Sequence, residues 1–152
     1  MPHPARSLFA ALAVTLTTPA FAAEAVEPSP YDMLATLEAR VATVAFRLTT
    51  ANADWCAAIQ PQFGWLWGDL RLYDARYRAD ARATYRADDA DAPFVAAVAP
   101  DSPAAAAGLT VGTAIFAING VPLPPHPERD GDAFARITEL ETRLAAMPGD
   151  AT

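Results

Sequence analysis

The sequence contains no lysine, and all 11 of its basic residues are arginine, against 18 acidic residues. The formal net charge is therefore −7 at pH 7. Phosphate groups are held by a positive field, so this balance argues against nonspecific binding to nucleic acid or to an anionic membrane. We expect neither as a partner.

Cysteine is almost absent as well. Cys56 is the one cysteine of the chain, which excludes an internal disulfide. Its neighbours, Trp55, Ala57 and Ile59, are apolar. The sequence therefore predicts that Cys56 is a small buried hydrophobic residue rather than a reactive thiol.

The residues that catalysis requires are scarce. Beyond residue 22 the chain has one histidine, His126, and two serines, Ser29 and Ser102. Neither serine lies in a nucleophile-elbow pattern, and a Ser–Lys dyad is impossible without lysine. A Cys56–His126 pair is formally conceivable, but nothing in the sequence positions it. The carboxylates of residues 88–91 lack the spacing of a calcium loop. We predict no enzyme activity, no metal and no cofactor.

The N-terminus predicts export. Residues 1–6 are short with one arginine, residues 7–18 are apolar, and residues 19–22 end in a small-x-small pattern. This is the layout of a secretory signal peptide cleaved after Ala22, although a retained anchor is the alternative. Because the apolar run is too short to span a bilayer as a helix, we predict a periplasmic or secreted protein without a stable membrane span after cleavage.

A tether and an amphipathic helix follow. Residues 23–30 predict the tether, and residues 31–60 an N-terminal helical region. Apolar residues at helical spacing predict a helix over 31–52, with Asp32 as a possible cap. We interpret the stripe as a packing face, and partner binding is the alternative. The stripe comprises Leu34, Leu37, Val41, Val44, Ala45 and Leu48.

Residues 53–72 are rich in aromatic residues, and a second helical segment follows them. Residues 65–72 predict a strand that follows Gly64, and residues 74–86 predict a helix. Arg78, Arg82 and Arg86 lie on one face of that helix. Because several aspartates lie nearby, we interpret this face as solvated.

The clearest local pattern begins at residue 94. Residues 94–99 predict a short apolar strand. Ser102 is a natural helix cap, and Pro103 suits the first helical position, where its missing N–H costs nothing. Gly108 then predicts the end of a short helix.

A hairpin completes this segment. Residues 114–118 predict a second strand, and Asn119-Gly120 is a strong hairpin signal. Residues 121–123 predict the return strand. The prolines beginning at Pro124 forbid further pairing.

Residues 92–124, APFVAAVAPDSPAAAAGLTVGTAIFAINGVPLP, resemble the PDZ domains of bacterial exported proteases. The resemblance implies an α+β fold: a small, partly open PDZ-like sheet or barrel with two helices, preceded here by the N-terminal amphipathic helix. The domain would occupy residues 61–152. Thr113 departs from the family pattern, because relatives usually carry aspartate there.

The resemblance also implies a peptide site. In such domains a hydrophobic-Gly-hydrophobic loop captures a peptide C-terminus beside a strand edge. Phe63, Gly64, Trp65 and Leu66 fit that loop, and the following strand includes Trp67. Glycine lets backbone N–H groups turn toward a carboxylate, and the strand edge can pair with an extended ligand. The alternative is an ordinary aromatic core turn.

The second wall of such a groove is a helix. Residues 132–147 predict one, with an apolar stripe that includes Leu140 and Leu144. By resemblance, Phe134 and Ile137 are candidates to line the pocket for a ligand side chain. A core stripe is the alternative for these positions.

The family's final strand has no counterpart before Thr152. We expect a truncated product or the N-terminal part of a longer protein. In the alternative, the 31–52 helix or a strand of another chain covers the gap.

Three functions remain open. The first is a binding module for extended peptides or protein C-termini. The second is the regulatory N-terminal part of an exported protease whose catalytic segment is absent from this chain. The third is a structural or assembly protein that associates through the 31–52 helix. The ligand and the oligomeric state do not follow from the sequence.

Overall fold

The structure is a computed structural model that describes residues 29–57, 60–125 and 133–148. The predictions made for the signal peptide, for most of the tether and for His126 fall outside these ranges.

Helix α1 spans Pro30–Ala51, close to the predicted range. Ser29 begins it, because its Oγ accepts from the amide of Tyr31 at 3.2 Å while Asp32 Oδ2 accepts from the amide of Ser29 at 3.1 Å. These reciprocal contacts form a capping box. Asp32 therefore contributes to the cap from the third position of the first turn, and the N-cap residue itself is Ser29. A short 3₁₀ turn, Ala53–Trp55, follows α1.

The face by which α1 packs differs from the predicted one. Ala42 is buried against Ala97 and Ala99, with Phe46 beside them. Tyr31 and Ala35 pack against a second cluster. The small alanines let the helix approach the protein closely, which the bulkier stripe would not. Most of the predicted packing stripe is consequently exposed: Leu37, Val41, Val44, Ala45 and Leu48.

Two strands form the central sheet. Strand β1 spans Trp65–Gly68 and pairs antiparallel with β2, Phe94–Val98, in a register that places Trp65 opposite Val98. Strand β1 is shorter than predicted because the side chain of Asp69 accepts from the amide of Arg71 at 2.9 Å and begins a 3₁₀ turn, Leu70–Leu72.

The predicted 74–86 helix has two parts. A 3₁₀ turn, Ala75–Tyr77, precedes helix α2, Arg78–Tyr85. The helix ends at Arg86, which adopts a left-handed conformation with φ of 54°.

The strand–helix–hairpin predicted from residue 94 onward is confirmed. After β2 comes helix α3, Pro103–Ala106, capped by Ser102, whose Oγ accepts from the amide of Ala105 at 3.2 Å. Strands β3, Ala117–Ile118, and β4, Val121–Pro122, then pair antiparallel across the Asn119-Gly120 turn.

Helix α4 spans Ala133–Ala145 and buries Leu140. The main core cluster lies between α2 and the central sheet, where the rings of Tyr85 and Phe94 are 5.4 Å apart. Helices and small open antiparallel sheets together confirm the predicted PDZ-like α+β fold. Among the residues that the structure describes, no helix has the length and apolarity to cross a membrane.

Candidate functional site

The loop before β1 is fixed by hydrogen bonds that its backbone carbonyl groups accept. The carbonyl of Phe63 accepts from the amide of Ala104 at 3.0 Å, and the carbonyl of Gly64 accepts from the amide of Ala99 at 2.7 Å. Ser102 lies beneath the loop and is almost fully buried, with its Oγ donating to the carbonyl of Ala99 at 2.7 Å. The loop is therefore fixed to the end of β2 and to the start of α3.

Gly64 is required at its position for two reasons. Its φ is +76°, a conformation that side chains disfavour, and an added Cβ would lie 2.3 Å from Cβ of Ser102. Within the described ranges, the amides of Phe63 and Gly64 donate to no acceptor. Two adjacent free amides of this kind can donate to an anionic group such as a carboxylate.

Strand β1 has one edge to which no strand is paired. Its other edge is occupied by β2, and this central sheet has two strands in the described part of the chain. A free edge presents unpaired N–H and C=O groups, to which an extended chain can add as a further strand.

A cleft of about 340 Å³ lies alongside residues 60–67, which include the loop and most of β1. Helix α1 contributes Ala42, Ala45 and Phe46 to its walls, and α4 contributes a second set. Among the described residues that line it, Glu141 is the one ionisable residue. The cleft is thus mostly apolar and carries negative charge at one place on its wall.

Aromatic side chains line this cleft. The rings of Trp65 and Trp67 are 4.6 Å apart, and those of Phe63 and Trp65 are 6.2 Å apart. Phe63, Trp65 and Leu144 also line an adjoining apolar cavity of about 250 Å³, which reaches α3 and β3. Large apolar surfaces of this kind suit the side chains of a bound peptide.

The residues predicted for the site fall into two groups. Phe63, Gly64, Trp65, Leu66 and Trp67 all line the cleft. Phe134 and Ile137 are not among the lining residues, and Phe134 is 69% exposed. Helix α4 contributes residues two turns later: Glu141, Leu144 and Ala145. The role of the seven predicted residues in binding stays a prediction.

Arg136, which sequence reasoning missed, links α4 to the rest of the protein. Its guanidinium is buried with Nε 3.5 Å from Oδ2 of Asp69, and its Nη2 donates to the carbonyl of Asp91 at 2.9 Å. Burial lowers the pKa of Arg136, and the charge of Asp69 opposes that shift. No sequence signal marks the pair, since 66 residues separate its members.

A second polar contact fixes α1. Tyr85 is fully buried and donates to Oε2 of Glu38 at 2.6 Å. Burial is the largest cause of a raised pKa for Tyr85, and the hydrogen bond to Glu38 adds to it. Burial likewise raises the pKa of neighbouring Tyr73 to about 12. Both phenols thus remain neutral across the physiological range.

Cys56 is exposed, so the prediction that it is buried is wrong. The chain turns outward after α1, and the apolar neighbour Trp55 is exposed as well. Across residues 29–57, 60–125 and 133–148, no group of three or more histidine, cysteine, aspartate or glutamate residues is arranged to hold a metal ion.

Comparison with known proteins finds one family that the second half of the chain matches. The family model described as PDZ domain matches residues 94–143, about a third of the chain. No curated protein and no solved structure matches. Residues 94–143 are therefore similar to PDZ domains, a class of peptide- or protein-binding module. The match begins at β2, after the loop and the strand that line the cleft.

Proposed function

We propose that this protein is an exported PDZ-like module that binds extended peptides, or the C-termini of proteins, by strand addition along β1. The observation that carries the proposal is the free edge of β1, which lies in an apolar cleft next to the unpaired amides of Phe63 and Gly64. The ligand backbone would pair with β1 while its terminal carboxylate accepts from the loop amides.

Peptides with free and amidated C-termini test this proposal. We expect peptides that end in valine, leucine or phenylalanine to bind to the full chain, as measured by fluorescence anisotropy. Amidation should weaken binding about tenfold or more, because a hydrogen bond to a charged group contributes about 1.5–3 kcal/mol. Equal binding of both forms would contradict capture of a C-terminus, and absence of binding would contradict the function.

A variant that fills the cleft tests whether the peptide binds there. Ala145→Trp places an indole in the cleft from an exposed position on α4. We expect it to weaken peptide binding about tenfold or more, or about 1.4 kcal/mol. Ala39→Trp, at an exposed position on α1 outside the cleft, is the matched control. Equal affinities of the two variants would place the ligand elsewhere.

Export is a separate part of the proposal, supported by the three-part pattern of residues 1–22. Expression of the full chain in a bacterial host, followed by intact mass measurement of the periplasmic fraction, tests it. We expect a mature protein that begins at Ala23. A full-length mass in the cytoplasmic fraction alone would contradict export.

The alternative is that this module regulates a periplasmic protease whose catalytic part is absent from this chain. The resemblance of residues 92–124 to PDZ domains of exported proteases favours it. The coding sequence beyond Thr152 discriminates the two, because a frame that continues into a peptidase motif would support the protease.

A further inference from the structure

Helix α1 has a second apolar face that is largely exposed among the described residues, with Leu34 half-buried at one end. We name this face the outer stripe: its residues follow the alternating three- and four-residue spacing of a coiled-coil seam. Val41, Val44 and Leu48 are 57%, 55% and 58% exposed. The outer stripe comprises Leu34, Leu37, Val41, Val44 and Leu48.

The outer stripe is not the face that stabilises the fold. Tyr31, Ala35, Ala42 and Phe46 pack α1 onto the protein from the other side of the helix. A contiguous exposed apolar surface of this kind marks an interaction site. Its heptad spacing over a 22-residue helix, about 33 Å long, favours another helix as the occupant.

Charge beside the outer stripe indicates the chemistry of that helix. Arg40 and Arg47 precede Val41 and Leu48, and thus flank the stripe on the side away from the protein body. Neither guanidinium has an ion-pair or hydrogen-bond partner among the described residues. In a coiled coil these flanking positions select partners by charge, so two arginines favour an acidic helix.

A second copy of this chain fits less well. In an antiparallel pair, Arg40 of one copy would lie near Arg47 of the other, which is repulsive. In a parallel pair, the arginine side of one helix would face the Glu38 side of the other. Glu38 lies beside the protein body and is already hydrogen-bonded to Tyr85.

We propose that the outer stripe docks an amphipathic helix of another protein whose apolar seam is flanked by acidic residues. Apolar side chains of the partner would pack against Val41 and Val44, and its carboxylates would pair with Arg40 and Arg47. This surface is separate from the cleft at β1, so its test does not depend on peptide binding there.

Two synthetic three-heptad peptides provide the test. Both carry leucine at the seam positions; one has glutamate and the other lysine at the flanking positions. Each peptide is labelled and titrated with the full chain by fluorescence anisotropy at low salt. We expect the glutamate peptide to bind at least about tenfold more tightly, with a difference that shrinks as salt screens the charges.

Variants separate the apolar from the charged contribution. Val44→Glu should abolish binding of the glutamate peptide, whereas Ala39→Glu, the same charge change at an exposed position off the stripe, should leave most of it. The double change Arg40→Glu and Arg47→Glu should reverse the preference toward the lysine peptide. All four positions are exposed on α1, and glutamate favours helices.

Four results would overturn the proposal. Binding of neither peptide removes the docking surface, and equal binding of both removes the acidic partner. Self-association that Val44→Glu abolishes would assign the stripe to a second copy. Binding to vesicles with anionic lipids that Val44→Glu abolishes would assign it to a membrane surface.

Discussion

Gly64 is the residue on which the geometry of the proposed carboxylate loop depends. We predict that Gly64→Ala lowers the free energy of unfolding by roughly 2–5 kcal/mol. About 1–2 kcal/mol comes from the left-handed conformation and about 1–3 kcal/mol from overpacking, because the new Cβ would lie 2.3 Å from Ser102 Cβ. Urea unfolding followed by tryptophan fluorescence measures the loss.

Gly108 provides the control for this prediction. Its φ is +79°, but an added Cβ would meet no atom within 4 Å. Gly108→Ala should therefore cost only the backbone contribution of about 1–2 kcal/mol. Equal losses for the two variants would show that contact with Ser102 does not restrict position 64.

The buried tyrosines make stability depend on alkaline pH. Burial raises the pKa of Tyr73 to about 12, and that of Tyr85 is raised as well. A phenol with a raised folded-state pKa contributes stability that is fully present below its unfolded value, about 10, and is lost as pH rises above it. We expect the urea midpoint to fall between about pH 10 and pH 12.

Removal of the two hydroxyls tests this cause. The double change Tyr73→Phe and Tyr85→Phe should make the decline with pH shallower, although Tyr85→Phe also removes the bond to Glu38 and lowers stability at neutral pH. Tyr77→Phe, which removes a hydroxyl from an exposed ring, controls for the loss of a tyrosine. If the urea midpoint of the double variant declined with pH as steeply as that of the unchanged protein, the two tyrosines would not be the cause.

Among the elements, α4 is held by a buried ion pair. We predict that Arg136→Leu destabilises the protein by about 3–5 kcal/mol, because it leaves the buried carboxylate of Asp69 without its cation. The less buried pair of Arg143 with Glu139, at 2.9 Å, supplies the control: Arg143→Leu also removes the hydrogen bond to the carbonyl of Pro122 and should cost about 2 kcal/mol or less. A small loss for Arg136→Leu would mean that α4 is positioned by apolar packing alone.

The elements also show how far the sequence could be interpreted. The segment from β2 to β4 was predictable because its signals are local: a cap at Ser102 and a turn at Asn119-Gly120. The five predicted loop and strand residues of the site, which were chosen by resemblance to PDZ domains, line the cleft. The packing face of α1 was not predictable, since both of its faces are apolar and only tertiary contact selects the one with small alanines.

The contribution of α4 to the cleft illustrates the same limit. The apolar periodicity of α4 was evident in the sequence, but its contact between Arg136 and Asp69 joins residues far apart in the chain. In the observed rotation, Leu140 is buried and Glu141 and Leu144, rather than Phe134, line the cleft. Nonlocal polar contacts of this kind leave no periodic signal in a sequence.

At the scale of the whole molecule, the cleft joins three distant parts of the chain: α1, residues 60–67 and α4. A peptide bound there should stabilise all three together. At about 100 times its dissociation constant, the peptide should raise the free energy of unfolding by about 2.7 kcal/mol. Thermal unfolding with and without peptide measures this, and the gain should be lost in Ala145→Trp. A gain that persists in that variant would contradict the cleft as its origin.

Helix α1 presents Ala42, Ala45 and Phe46 to the cleft and the outer stripe to solvent, so two ligands would share one rigid wall. Any displacement of that wall favoured by one ligand changes the binding free energy of the other. By thermodynamic reciprocity, both affinities then change by the same factor. The two proposed binding sites would then be coupled through α1.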